Sequence, residues 1–97
     1  MFLTPFRRDR LERPYIIVVQ SDHYPTPARL CAPLVAERFL KPNGRLNPLF
    51  EIDGAKCYLH PIELASIPTR VLRAPITNLQ RYRDRIVAAF DLVFTGV

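Results

Sequence analysis

Three adjacent residues, Ser21, Asp22 and His23, carry the side-chain types of a serine-hydrolase catalytic triad. A triad is assembled in space, however, because neighbours along a chain point in different directions. Ser21 also lacks the flanking glycines of the strained turn that exposes a nucleophilic serine. The Asn43-Gly44 pair is typical of a turn rather than of a phosphate-binding loop. These patterns do not favour a hydrolase.

The side chains that could bind a metal are scattered along the chain. They are His23, Cys31, Cys57 and His60. No two of them have the close spacing of zinc sites, so we predict neither a metal nor another cofactor. Both cysteines lie in apolar stretches, which predicts buried free thiols rather than a disulfide. We interpret His60, at a predicted strand end, as a surface or hydrogen-bonding residue.

RNA cleavage is an alternative chemistry that leaves little trace in a sequence. Small basic β-barrels can cleave RNA with an arginine and a hydroxyl residue, and the chain offers Thr26, Arg29, Thr69 and Arg70. The same residues are also ordinary polar residues of loops and strands. The endoribonuclease therefore stays an alternative hypothesis.

Arg81 and Arg85 lie four residues apart in a predicted helix and would share one face of it. This basic patch is either a solvated helix face or a docking site for acidic side chains. The formal net charge is +5, and arginine dominates the basic residues. An arginine-rich surface suits carboxylate or phosphate partners, and composition does not separate an acidic protein segment from a nucleic acid.

The elements that must position these residues belong to one domain, residues 1–97, by length. No run of eighteen apolar residues is present, and the start of the chain is too charged for a signal peptide. We therefore expect a cytoplasmic protein. Ten prolines divide the first three quarters of the chain into pieces too short for long helices. Short strands within about residues 1–76 are the predicted result.

Three segments carry the clearest strand patterns. Residues 14–20 are rich in β-branched side chains and predict a strand buried on both faces. Residues 30–34 predict a second strand, with Pro33 near its end or at a bulge. Asp53-Gly54 between two alternating runs predicts a hairpin with a type I′ turn.

The pattern changes to a helical period near Thr77. Apolar residues then recur three or four positions apart, which predicts an amphipathic helix over about 78–94. Thr77 and Gln80 have the spacing of a capping box, and Gly96 stands where a left-handed residue would end the helix. The fold class is therefore mostly β, an antiparallel barrel or sheet followed by one C-terminal helix.

Several short motifs occur in an order that resembles the CcdB toxins of CcdA/CcdB-type toxin–antitoxin systems. They are VQSD at 19–22, Thr26-Pro27, Pro33-Leu34, LNPLFEIDG at 46–54, ASIP at 65–68, and a terminal helix that closes on Phe-x-Gly-aliphatic. The resemblance covers about residues 15–97. It implies an SH3-like antiparallel barrel that forms a homodimer and is not an enzyme.

The resemblance also implies the partners. Such a toxin binds the GyrA subunit of DNA gyrase and traps the gyrase–DNA cleavage complex. A cognate antitoxin with an acidic disordered tail removes it, and the two proteins together repress their operon, with operator DNA bound through the antitoxin. No membrane partner is implied.

The resemblance assigns roles to individual positions. Phe94, Gly96 and Val97 match family residues at the gyrase contact. Four further positions are in register there but differ in type: Thr95 for a tryptophan, His23 and Tyr24 for aliphatic residues, and Asp91 for an asparagine. Val93 falls in the dimer interface, and Arg81 and Arg85 are candidates for antitoxin docking. Thr95 motivates an alternative, a protein of this fold with a lost or altered target that still binds its antitoxin.

Overall fold

The computed structural model of the chain describes residues 1–5, 11–19 and 27–96. Within these ranges it is mostly β, with seven strands followed by one α-helix, as the sequence predicts. The strands are β1 (Phe2–Pro5), β2 (Tyr15–Val18), β3 (Ala28–Ala36), β4 (Leu49–Ile52), β5 (Ala55–Leu59), β6 (Ala65–Pro68) and β7 (Thr77–Asn78), and the helix is α1 (Arg83–Thr95).

The strands form one antiparallel sheet in the order β4-β5-β3-β2-β1-β7, with β6 also paired to β3. The nine-residue β3 is its centre, because β2 pairs with one edge while β6 and β5 share the other. The sheet curls into a half-barrel, which agrees with the expected SH3-like architecture. The strands β4 and β7 end the path and leave a gap between them.

The predicted hairpin is confirmed. Asp53 and Gly54 both have positive φ, 51° and 79°, as a type I′ turn requires. The turn sets the register of β4 and β5, in which Phe50 pairs with Cys57. Both of these residues are buried, so the turn directs one face of the hairpin into the core.

The prediction that β2 is buried on both faces is also confirmed. Ile17 belongs to the main core, whereas Ile16 and Val18 pack with Cys31 in a second cluster on the other face of the sheet. Alternate side chains of a strand point to opposite faces, so both faces of β2 are covered over Ile16–Val18, and only Tyr15 is half-buried.

The strand β3 runs to Ala36, two residues beyond its predicted end, and Pro33 lies inside it. The strand tolerates this proline because β6 pairs with residues 28–31 and β5 with residues 34–36. The carbonyl oxygen of Pro33 accepts a bond from the His60 N–H on that same edge. The missing N–H of Pro33 therefore falls between two partner strands, and no ladder bond is lost.

The helix begins later than predicted, and the predicted capping box is wrong. Thr77 and Asn78 form β7 by pairing with β1, which draws them out of the helix. The Asn78 Oδ1 then accepts a bond from the Gln80 N–H at 2.9 Å, and a 3-10 turn over Gln80–Tyr82 precedes α1. Tertiary pairing has thus overridden the local capping pattern.

The helix packs its apolar stripe onto the concave face of the sheet. Ile86 and Ala89 are fully buried, and Leu79 just before the helix is nearly so. They meet Leu3, Ile17 and other sheet residues in the main core. Within the described ranges, no helix has the length and apolar character needed to cross a bilayer.

Both cysteines are buried free thiols, as predicted. Burial raises the pKa of the Cys31 thiol to about 11, and burial also raises the pKa of Cys57. Neither group presents a reactive thiolate at neutral pH.

Candidate functional site

The C-terminal end of α1 is closed by Gly96, as the sequence predicts. Gly96 has a left-handed backbone, with φ of 72°, and its N–H donates to the carbonyl oxygen of Leu92 at 3.1 Å. This bond satisfies one of the last carbonyl groups of the helix and turns the chain away from the helix axis. A residue with a side chain would be strained in this conformation.

Phe94 is the most exposed apolar side chain of this region. It is 68% exposed, although it belongs to the predicted apolar stripe. Its ring stacks on that of Phe90, with centroids 6.3 Å apart and an angle of 18° between the planes. Phe90 is half-buried and packs against the core. The ring of Phe94 therefore stacks on an anchored neighbour, and the two rings form an aromatic pair at the surface.

Thr95 is also exposed, but its hydroxyl group already has a partner. The Oγ1 atom donates to the carbonyl oxygen of Asp91, one turn earlier, at 2.6 Å. Such a bond holds a threonine side chain against its own helix. Thr95 therefore presents its methyl group at the position where the resemblance in the sequence predicts a tryptophan.

The structure brings four of the predicted gyrase-contact residues together on the last turn of α1. They are Asp91, Phe94, Thr95 and Gly96, all exposed. His23, Tyr24 and Val97 lie outside the described residues. Val93, the predicted dimer residue, is half-buried on the same turn.

Arg81 and Arg85 lie at the opposite end of the helix and are brought together through one aromatic ring. The Arg81 guanidinium covers the Tyr82 ring at 5.0 Å and donates to the Tyr82 hydroxyl at 2.9 Å. The Arg85 guanidinium lies 4.9 Å from the same ring and 5.0 Å from that of Phe50. The predicted basic patch is therefore an ordered cluster on an aromatic base. The rise of the helix separates Phe94 from Arg85 by roughly 14 Å and from Arg81 by roughly 20 Å.

This arginine cluster borders a groove that the sequence does not indicate. The groove has a volume of about 550 Å³ and lies between β4 and β7, the end strands of the described sheet. Only tertiary structure could reveal it, because β4 and β7 are about 25 residues apart and meet through the curl of the sheet.

The described residues give little support to the hydrolase and endoribonuclease alternatives. Ser21, Asp22, His23 and Thr26 fall outside them. Arg29 on β3 pairs with Ile67 on β6, and the Thr69 N–H donates to the Pro27 carbonyl oxygen at 2.8 Å. Arg29 thus lies in the β3–β6 pair, and Thr69 follows that pair at the start of the 3-10 turn that also contains the exposed Arg70.

Metal binding has no candidate in the described part of the chain, where no three His, Cys, Asp or Glu side chains cluster. His60 is half-buried, and its Nδ1 has no hydrogen-bond partner among the described residues. His60 is therefore not a fully exposed surface residue, and it directly precedes the 3-10 turn at Pro61–Glu63.

Comparison with protein families agrees with this geometry. The family model described as CcdB protein matches residues 2–96 of the 97-residue chain. The match spans the half-barrel, the arginine cluster and the helix end up to Gly96. The chain therefore belongs to the CcdB family.

Proposed function

We propose that the chain is a toxin that binds the A subunit of DNA gyrase, traps gyrase on cleaved DNA, and is neutralised by a cognate antitoxin. Membership of the CcdB family supports the class, a toxin of a toxin–antitoxin system with an antitoxin partner. The observation that carries the gyrase target is the exposed apolar end of α1.

The stacked pair of Phe90 and Phe94 is suited to anchor a protein contact. An aromatic ring that lies mostly in water can bury that area against a partner, and such anchors dominate interface energies. The left-handed conformation of Gly96 then ends the helix directly after Thr95. Binding alone would suffice for inhibition, so the proposed function requires neither a catalytic residue nor a cofactor.

The remaining partners belong to the same proposal. We expect a cytoplasmic homodimer with Val93 in the interface, since Val93 is half-buried within one chain. A second copy would complete its burial. The net charge of +5 favours association with an acidic antitoxin tail. Operator DNA would be reached only through the antitoxin.

The test is gyrase supercoiling with purified protein. We expect inhibition together with linearised DNA, the product of a trapped cleavage complex. Removal of residues 95–97 should abolish both effects and leave the unfolding transition nearly unchanged, because the described part of this segment is exposed. Normal supercoiling at a large excess of the intact protein would refute the gyrase target.

The bond between Thr95 and Asp91 favours a second candidate function, a protein of this family with a changed target. A tryptophan would offer far more contact area than the threonine methyl group. The matched variants are Thr95→Trp, which adds the ring, and Thr95→Val, which removes only the hydroxyl. If the target has changed, the natural chain should bind its antitoxin without inhibiting growth, and only Thr95→Trp should gain gyrase inhibition.

A further inference from the structure

The groove between β4 and β7 has features of a binding site that the helix end does not share. Both strands that end the described sheet line it, so it is the unclosed seam of the half-barrel. Arg81, Tyr82 and Arg85 form its rim on the helix side. The seam thus combines strand edges with positive charge.

The outer edge of β4 carries unpaired backbone groups. The Leu59 N–H donates to the Pro48 carbonyl oxygen at 3.0 Å, which makes Pro48 and Leu59 a hydrogen-bonded pair. Such pairs alternate along an antiparallel ladder, so the pairs formed by Leu49 and by Glu51 are the non-hydrogen-bonded ones. Their N–H and C=O groups point away from β5, and within the described residues no backbone group meets them.

The arginines of the rim are held in place with their donors available. Each guanidinium lies over an aromatic ring, and among the described residues the only hydrogen bond from either one is the bond from Arg81 to the Tyr82 hydroxyl. Neither arginine forms an ion pair with a carboxylate in the described part of the chain. Two ordered cations therefore line the seam, and the described lining also includes one acidic residue, Glu51 on β4.

We propose that this seam binds an extended acidic peptide, which adds to β4 as a further strand and places carboxylates on Arg81 and Arg85. The identification of this peptide with a segment of the antitoxin rests on the proposed function. The mode itself, pairing to an exposed strand edge, requires only the geometry of the seam.

A peptide fits the seam better than a nucleic acid does. The edge of β4 presents carbonyl acceptors as well as N–H donors, and a peptide backbone complements both. A phosphodiester backbone supplies acceptors but no donors for the carbonyl groups of Leu49 and Glu51. Leu49 is also 38% exposed on this edge and offers apolar contact to alternate side chains of an added strand.

Amide hydrogen exchange of the full chain provides a direct test. The probe is an acetylated and amidated heptapeptide of alternating glutamate and valine. Saturation with it should slow exchange at the Leu49 and Glu51 amides by about tenfold or more. The Phe50 and Ile52 amides, already bonded to β5, should change little. Binding without this alternation would overturn the added-strand mode.

Two matched pairs of variants test the contacts separately. Glu51→Pro removes the outward N–H without disturbing the β4–β5 ladder, whereas Glu51→Ala keeps it. We expect Glu51→Pro to bind the probe about threefold to tenfold more weakly than Glu51→Ala does. The double variant Arg81→Gln/Arg85→Gln should weaken binding about tenfold at low salt, and Arg38→Gln should not. Arg38 is a fair control because it stacks on Phe39 outside the seam.

The remaining outcomes are equally decisive. Tighter binding of a single-stranded oligothymidylate than of the peptide would overturn the proposal in favour of a nucleic-acid site. Equal binding by Glu51→Pro and Glu51→Ala would also overturn it. Gyrase inhibition is a separate measurement on separate residues, so failure of the proposed function would leave the peptide result intact, and the reverse also holds.

Discussion

Phe94 allows the proposed gyrase contact to be tested apart from the stability of the fold. A phenylalanine encloses roughly 200 Å² when it is fully buried. Because Phe94 is 68% exposed, about a third of its surface already packs within the chain. At about 25 cal/mol per Å², Phe94→Ala should reduce the free energy of unfolding by no more than about 1.5 kcal/mol.

The effect on gyrase binding should be larger. The exposed two thirds of the ring amount to roughly 140 Å², worth up to about 3.5 kcal/mol if the partner covers them completely. Half coverage would give about half that value. Since 1.4 kcal/mol corresponds to a factor of ten, Phe94→Ala should weaken binding roughly 10-fold to 300-fold.

Two measurements on the same protein preparation check this prediction. Urea denaturation gives the change in stability, and titration of the gyrase A subunit gives the change in affinity. Phe39→Ala is a matched control, because Phe39 is 42% exposed in a separate 3-10 turn. The reasoning is refuted if Phe94→Ala binds gyrase as the natural chain does, or if Phe39→Ala loses as much affinity.

Three further predictions concern the dimer, an ion pair and the thiols. Val93→Asp would bury an unpaired charge in the proposed dimer interface. Sedimentation should therefore show a dimer dissociation constant at least about 100-fold higher than that of the natural chain. An unchanged dimer would exclude Val93 from the interface. The Arg13 guanidinium donates to both Glu63 oxygens at 2.7 Å, which lowers the pKa of Glu63, so Glu63→Gln should destabilise by up to about 1 kcal/mol near neutral pH. This difference should shrink as the pH falls through the lowered pKa of Glu63, and a constant difference in urea titrations would contradict it. Cys31, at 2% exposure, should react with iodoacetamide only after denaturation, and fast labelling of the folded chain would contradict its burial.

Much of the fold was predictable from local patterns. Asp53 and Gly54 adopt positive φ for reasons that lie within the turn itself, so the hairpin could be recognised from two residues. The same holds for the β-branched run of β2 and for the helix stop at Gly96. In each case the physical cause lies within a few residues of its effect.

The short strands were not predictable in this way. The strand β7 has two residues and exists only because β1 pairs with it, although its sequence resembles a helix cap. Pro33 likewise predicts a strand end, because the sequence does not show that it falls between the partner strands β5 and β6. Pairing with distant strands determines the secondary structure of such segments, and the local sequence does not show which strand will be the partner.

In the candidate site, too, some features were predictable from the sequence and others were not. The resemblance in the sequence indicated Phe94 and Gly96, and the spacing of four residues in the predicted helix indicated Arg81 and Arg85. The exposure of Phe94, the bond that occupies the Thr95 hydroxyl and the stacking of Arg85 on Phe50 required coordinates.

The sequence by itself thus determined the family, the class of fold, the hairpin and the position at which the helix stops. Only the tertiary structure decided which side chains of the helical stripe remain in water and that the sheet leaves a charged seam between β4 and β7. The physical reason is that local conformation depends on neighbours in the chain, whereas exposure and unpaired edges depend on where distant segments end.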